Sequence, residues 1–315
     1  MQEKEFKQII DREKHKKDAR QIFSKQIDLL VDLVNYGSNL IIRAYDSSKK
    51  KLEDAIVIGV LLKQVVAMID ATEILLCHGS PQSADIQVRS ALEASLYIDW
   101  MLKSELEKKA KYYYVSNLRN MRLWALRYLK GTEENQLFLQ SVLDLIKYME
   151  PSNVTEEDED EAKRQVTEIE RILSQEGYRE INDEFVRMRV KKTGAEAYWY
   201  KPLGISSIKK IAEEVGRLSE YIIYYSKGSE FTHIASYREH VKFNQGKVKF
   251  EPIRQLEGAD TIIQSIIGIT LASYQSILKH YRYGELSNFR RKYIKEWRDG
   301  FQNIPHVSYV EEDDK

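Results

Sequence analysis

Little in this 315-residue chain can staple it, break it or anchor it in a membrane. A single cysteine, Cys77, excludes an internal disulfide framework. Its place in the apolar stretch "ATEILLCHG" reads as a small core hydrophobe in a reducing compartment rather than as a reactive thiol. Five prolines and 14 glycines are few for a β-rich or disordered chain, and 43% hydrophobic with 31% charged residues suits a helix-rich globular protein. Charge of one sign is lacking too. The 49 Lys and Arg balance 49 Asp and Glu, so no overall field draws the chain to nucleic acid or an acidic membrane, and any such contact must come from a local patch. Long apolar runs are scarce: "AIVIGVLL" stops at Lys63, well short of the roughly 20 residues needed to cross a bilayer. The N-terminal "MQEKEFKQIIDREKHKKDAR" has no apolar segment of the kind a secretory signal needs. The expectation is a soluble cytoplasmic protein with no membrane partner.

What is present is helical periodicity. From Glu3 to about Tyr45 apolar residues recur at helical spacing between charges, and "DSSKKK" breaks the pattern. "LEDAIVIGVLLKQVVAMIDATEILLC" is apolar enough for a central helix. "HGSPQS" then ends one helix at Gly79 and starts the next with Ser80 and Pro81. Further helices are expected over about Ser83–Lys103, Glu105–Lys130, Glu133–Met149, Ala162–Gln175 and Ser207–Gly216, then over "LSEYIIYYSKGSEFTH", about Ala259–Tyr281 and Leu286–Asp299. The acidic run "SNVTEEDEDEAKR" reads as a solvated connector or a helix start. "HVKFNQGKVKFEP" alternates around Asn244–Gly246 as a hairpin. No repeat of 20 to 50 residues is visible. The expected fold is all-α, a multi-helix bundle with one irregular arm and a single short β-hairpin. Residues 1–50 are expected as an N-terminal amphipathic helical segment, and 51–315 as the bundle core with a loop-rich arm at about 176–204 and the hairpin at about 240–252.

Polar residues in apolar helices mark the candidate site. "VRSALEASLYIDW" carries Arg89 and Glu93 at i,i+4, on one face, with Tyr97 and Trp100 roughly continuing the stripe. A charged pair inside a core helix is expensive unless it is paired and hydrogen-bonded. It is either a salt bridge that sets helix register or part of a ligand or catalytic pocket. In "SEYIIYYSKGSEFTH", Ile222, Ser226, Ser229 and His233 fall on one stripe, with Tyr221, Tyr225 and Thr232 beside it. Small hydroxyl residues leading to a histidine suit an imidazole that is oriented and close to another helix. The expectation is that Arg89 and Glu93 are buried and paired with each other or with the 218–235 helix, and that His233 lies beside them.

"LEASLYIDWM" after Arg89, followed by "SIKKIAEEVG", "YIIYYSKGSEFTH" and "IAS", resembles the bacterial domain of unknown function numbered 5677, over roughly Ile56 to Ser236 with the middle arm poorly matched. Members of that family pair an Arg-x3-Glu helix with a later Tyr and Ser-x3-His element. The resemblance implies that Arg89, Glu93, Ser229 and His233 occupy the family's polar positions, and it brings no reaction with it. The chain also resembles the HEPN superfamily of helical ribonucleases, common in toxins and phage-defence proteins. Their signature, Arg, then four to six residues, then His on one helix, is missing here. Nuclease chemistry would need Arg89 to supply the cation from another helix, with His233 as acid or base.

Other chemistries lose support. "EFTH" is a single Glu-x-x-His where a di-metal bundle needs two, and one Cys with scattered histidines forms no zinc set, so no metal is expected. No phosphate-binding loop, dinucleotide glycine pattern or nucleophile elbow appears, and no cofactor is expected. "KKAKYYYVSNLRNMRLWALRYLK" and "FRRKYIKEWR" mix basic and aromatic residues, either to bind phosphate and stack bases or as core aromatics with solvated cations. Two functions stay open. One is a bacterial defence or toxin-type effector, a metal-independent ribonuclease or a binder of RNA or nucleotide phosphate, with Arg89, Glu93 and His233 catalytic and Ser229, Tyr225 and Tyr97 binding. The other is a non-enzymatic interaction module that docks a protein through 176–204, the polar cluster being structural. A homo-oligomer is compatible with both.

Overall fold

A computed structural model describes residues 10–51, 55–146, 155–188, 196–226, 228, 240–244 and 247–308. Among the described residues the fold is all-α with one short hairpin. Helix α1 spans Arg12–Ser47, α2 Val57–Cys77, α3 Pro81–Lys103, α4 Leu106–Leu126, α5 Glu133–Ile146, α6 Glu156–Leu173, α7 Glu176–Met188, α8 Ile208–Glu214 and α9 Leu218–Glu220. A π-helical turn, Tyr221–Tyr225, continues α9. Strands β1, Val241–Asn244, and β2, Lys247–Phe250, pair antiparallel with Phe243 opposite Val248. Then come α10, Ala259–Tyr281, α11, Leu286–Lys292, a second π-helical turn, Tyr293–Trp297, and α12, Arg298–Gln302.

The chain divides into two compact units, residues 1–104 with 208–315, and residues 105–207. The expected division was 1–50 against 51–315. It differs because α1 is part of the first core: Leu30, Leu33 and Leu40 are fully buried, and the helix packs along α2 and α10.

In the first unit α3 lies against α2 and α10. Helix α10 is apolar on nearly every face. It is long and apolar enough by composition to cross a bilayer, and most of that surface is buried inside the unit. Ile263, Ile266 and Ile267 are fully covered, and Thr270 and Ser273 satisfy their hydroxyls on the carbonyls of Ile266 and Ile269. Where α1 crosses α10, Gly37 is required by space: a Cβ there would stand 2.0 Å from Tyr274 Oη and 2.6 Å from Val66 Cγ2. Tyr274 Oη donates to the Leu33 carbonyl at 2.7 Å. The α2–α3 junction matches the reading of "HGSPQS". Gly79 is left-handed at φ +67°, Ser80 N–H reaches back to the Leu75 carbonyl, and Pro81 opens α3. The Ser80 hydroxyl bonds Ser83 Oγ rather than capping a backbone amide.

In the second unit α4 packs on α6 and α7. The acidic run is a helix start. Thr155 and Asp158 form a reciprocal capping box, and four acidic residues in the first turn face the positive end of the α6 dipole. The segment expected as a loop-rich arm, 176–204, begins with regular helix α7; turns occupy Trp199–Gly204. Tyr178, Ile181 and Phe185 supply the apolar spacing, and Phe185 is fully buried with its ring 6.2 Å from that of Tyr112. The dense charges between them hid that period.

Candidate functional site

Helix α3 carries two polar stripes. Arg89, Glu93 and Tyr97 stand one turn apart on the first. Arg89 is half-buried and lies over the Tyr225 ring, 4.5 Å from its centroid, while Nη2 donates to Tyr225 Oη at 3.1 Å. Tyr225 in turn stacks on Tyr221, with centroids 4.6 Å apart and planes at 19°. Glu93, also half-buried, accepts from Tyr97 Oη at 2.9 Å and not from Arg89. The Tyr221 hydroxyl is held above its ordinary pKa, first by burial and then by Tyr225; Arg89 opposes this and Glu93 adds to it. Both α3 charges are thus within electrostatic reach of the tyrosine pair. Arg89 makes no further hydrogen bond and no ion pair with a described residue, so its Nε and Nη1 have no protein partner among them.

The face that meets α3 is not the stripe expected from the sequence. Ile222 and Ser226 are exposed, whereas Tyr221, Tyr225 and Gly228 turn to α3. The π-helical turn adds a residue to the hydrogen-bonded ring and rotates the following side chains relative to an α-helix, which a 3.6-residue wheel does not anticipate. Gly228 makes the closest approach. A Cβ there would lie 2.8 Å from both Arg89 Cβ and the Asp85 carbonyl oxygen, so only glycine lets this backbone rest on α3. Ser229 and His233 lie outside the described residues, as does the expected contact between His233 and the Arg89–Glu93 stripe.

The second stripe of α3 went unnoticed in the sequence. Arg217, 10% exposed, donates from Nη1 to Ser95 Oγ at 2.6 Å and to Asp99 Oδ2 at 2.7 Å, and from Nε and Nη2 to the two oxygens of Glu220. Ser95 and Ser273 of α10 share a further hydrogen bond, Oγ to Oγ, at 2.8 Å. Burial pushes the Arg217 pKa down, but its hydrogen bonds and charge contacts with Glu220 and Asp99 outweigh this and hold it above the ordinary value. Trp100, next to Asp99 on α3, donates from Nε1 to Glu214 at 2.6 Å, and Lys103, one turn beyond Asp99, bonds the Glu214 carbonyl. These bonds fix the α8–α9 corner, and with it the tyrosine pair, to α3. Part of the stripe is legible, since Ser95 and Asp99 stand four residues apart in an apolar helix, but nothing in the sequence pairs them with Arg217.

The basic-aromatic stretches are mostly committed to packing. Tyr112 Oη donates to Glu184 at 2.7 Å, Tyr113 meets Trp199 edge-on, Lys109 is buried, and Arg119 and Arg122 are paired with Glu196 and Glu170. In "FRRKYIKEWR", Phe289 and Trp297 are core residues, and Lys292 pairs with Asp32 and Glu296. Cys77 donates to Glu73 Oε1, and burial followed by that carboxylate pushes its thiol up to about 12, so it stays protonated near neutral pH. Among the described residues no group of three or more His, Cys, Asp or Glu is placed to hold a metal ion.

A family model described as "Family of unknown function (DUF5677)" matches residues 54–248, the stretch that holds α2, α3 and the tyrosine pair. No curated protein matches the chain, and no solved structure matches it.

Proposed function

The chain belongs to DUF5677, a family of unknown function, and on that premise we propose that the Arg89–Tyr225 face binds the phosphate of RNA or a nucleotide. One observation carries the proposal. Arg89 is a half-buried guanidinium laid on a tyrosine ring, with a free donor edge and no carboxylate paired to it among the described residues. A planar fork held by stacking and by one hydrogen bond is pre-organised to take an anion in two contacts. The neighbouring Tyr221–Tyr225 stack offers aromatic surface to a base. Glu93, held by Tyr97, sets the local potential and orients the tyrosines rather than clamping Arg89.

The role this chemistry would serve is that of a bacterial defence or toxin-type effector in the cytoplasm. In its cleaving form no metal takes part. Arg89 neutralises the phosphate, and His233 removes a proton from the attacking ribose hydroxyl or gives one to the leaving oxygen. The test is incubation of the full chain with a labelled single-stranded RNA, beside Arg89→Ala and His233→Ala. Loss of binding in the first and loss of cleavage with binding kept in the second support the effector. RNA bound equally by the wild type and Arg89→Ala contradicts it. A second reading, an interaction module docking a protein through 176–204, draws on Tyr198, which is 68% exposed and stacked on Tyr200.

A further inference from the structure

The second unit contains a cavity of about 410 Å³ between α4, α6 and α7, independent of the Arg89 face. Its volume is in the range of small-molecule sites. Leu123, Leu126, Leu173 and Val186 give it an apolar lining, and three arginines and three glutamates stand around it. Two of the charge pairs are closed. Arg119 makes a two-pronged contact to Glu196, at 2.9 and 2.8 Å, and its third nitrogen donates to Asn182 Oδ1 at 2.6 Å, so it acts as a strut. Arg122 donates Nε and Nη2 to a single oxygen of Glu170. The remaining two charges are Arg179 and Glu134. Both line the cavity, neither has an ion-pair or side-chain hydrogen-bond partner among the described residues, and they do not pair with each other.

We infer that this cavity binds a small zwitterion with an apolar side chain, in the manner of an apolar α-amino acid. The carboxylate sits on Arg179 and on the free Nη1 of Arg122, the ammonium group faces Glu134, and the side chain covers the leucines and Val186. Charge decides the class of head group. Among the described lining residues one uncompensated cation and one uncompensated anion remain, so a ligand with one charge of each sign pairs both. A phosphate dianion would bring excess negative charge beside three glutamates. The apolar lining excludes a wholly polar ligand, since its groups would be desolvated without partners.

The experiment is ligand-observed NMR and calorimetry on the full chain with three probes: L-phenylalanine, 3-phenylpropionate, which has only the anion, and 2-phenylethylamine, which has only the cation. L-phenylalanine is expected to saturate the site and to bind at least tenfold tighter than either relative. Arg179→Gln is expected to weaken L-phenylalanine and 3-phenylpropionate about tenfold without affecting 2-phenylethylamine. Glu134→Gln does the reverse, weakening the two amines alone. Arg179 is exposed and Glu134 half-buried, and neither is in a hydrogen-bonded network, so both variants keep the fold and an unchanged melting curve verifies it. No saturable binding of any probe, or binding that both variants retain, overturns the inference.

Discussion

Each of the two units has its own source of internal cohesion. The first is a sandwich of apolar helices in which α2, α3 and α10 bury Ile, Leu and Val on several faces, with a concentrated polar network at Arg217. The second has a thinner apolar core. Around Phe185 and the small cluster of Ala125, Leu126, Ala162 and Val166, much of its cohesion comes from side-chain polar contacts between α4 and its neighbours: Arg119 with Glu196 and Asn182, Tyr112 with Glu184, Arg122 with Glu170. The first unit therefore depends on shape and the second on charge, and each should break where it is strongest.

Shape predicts the largest effect. Gly37→Ala drives a methyl group into Tyr274 Oη and Val66, both enclosed, and is expected to cost about 3 kcal/mol or more in denaturant unfolding. Gly59→Ala in α2 has nothing within 4 Å of the new Cβ, and should be neutral or stabilise by up to ~1 kcal/mol through helix propensity. If the two glycines respond alike, close packing is not what holds α1 to α10.

Next comes the exception in the first unit. Arg217→Ala leaves Asp99 and Glu220 without the cation they share, and should destabilise by roughly 3 kcal/mol. Hydrogen exchange should speed up across α8, α9 and the tyrosine pair before α1 or α10 responds. In the second unit Arg119→Ala, which breaks a pair only 10% and 15% exposed, is expected to cost about 2 kcal/mol, whereas Arg122→Ala, 39% and 52% exposed with its partner, should cost under ~1 kcal/mol. Added salt should weaken the Arg122 contribution more than that of Arg119.

The smallest effect is chemical. With its pKa raised to about 12, Cys77 has very little thiolate at pH 8 and should react with iodoacetamide far more slowly than a free thiol. Glu73→Gln removes a carboxylate that holds the proton on, and is expected to speed alkylation several-fold. A wild-type rate equal to that of free cysteine would mean the sulfur is not held as described.

The helices of the first unit were legible because their apolar periods are long and their boundaries carry Gly79, Ser80 and Pro81. Helix α7 was not, because in "EGYREINDEFVRM" every apolar residue is flanked by charge and only Phe185 ends up fully buried. At the candidate site the sequence singled out Arg89, Glu93, Tyr97 and Tyr225, and these side chains gather on one side of α3. Two things escaped it. The π-helical turn moved the packing face from Ile222 and Ser226 to Tyr221 and Tyr225, and no local composition announces such a turn. The Arg217 network joins residues 118 and 122 positions apart, a pairing that one sequence does not reveal.

The central claim is that Arg89 is an anion-binding group pre-organised by Tyr225. Its most direct test is fluorescence anisotropy of a labelled single-stranded RNA titrated with the full chain, Arg89→Gln and Tyr225→Phe. Tyr225→Phe keeps the ring under the guanidinium and removes the hydroxyl that accepts from it. The account predicts saturable, salt-sensitive binding, weakened at least tenfold by Arg89→Gln and severalfold by Tyr225→Phe, with the salt slope reduced by about one in Arg89→Gln. Identical titration curves for the three proteins would contradict it.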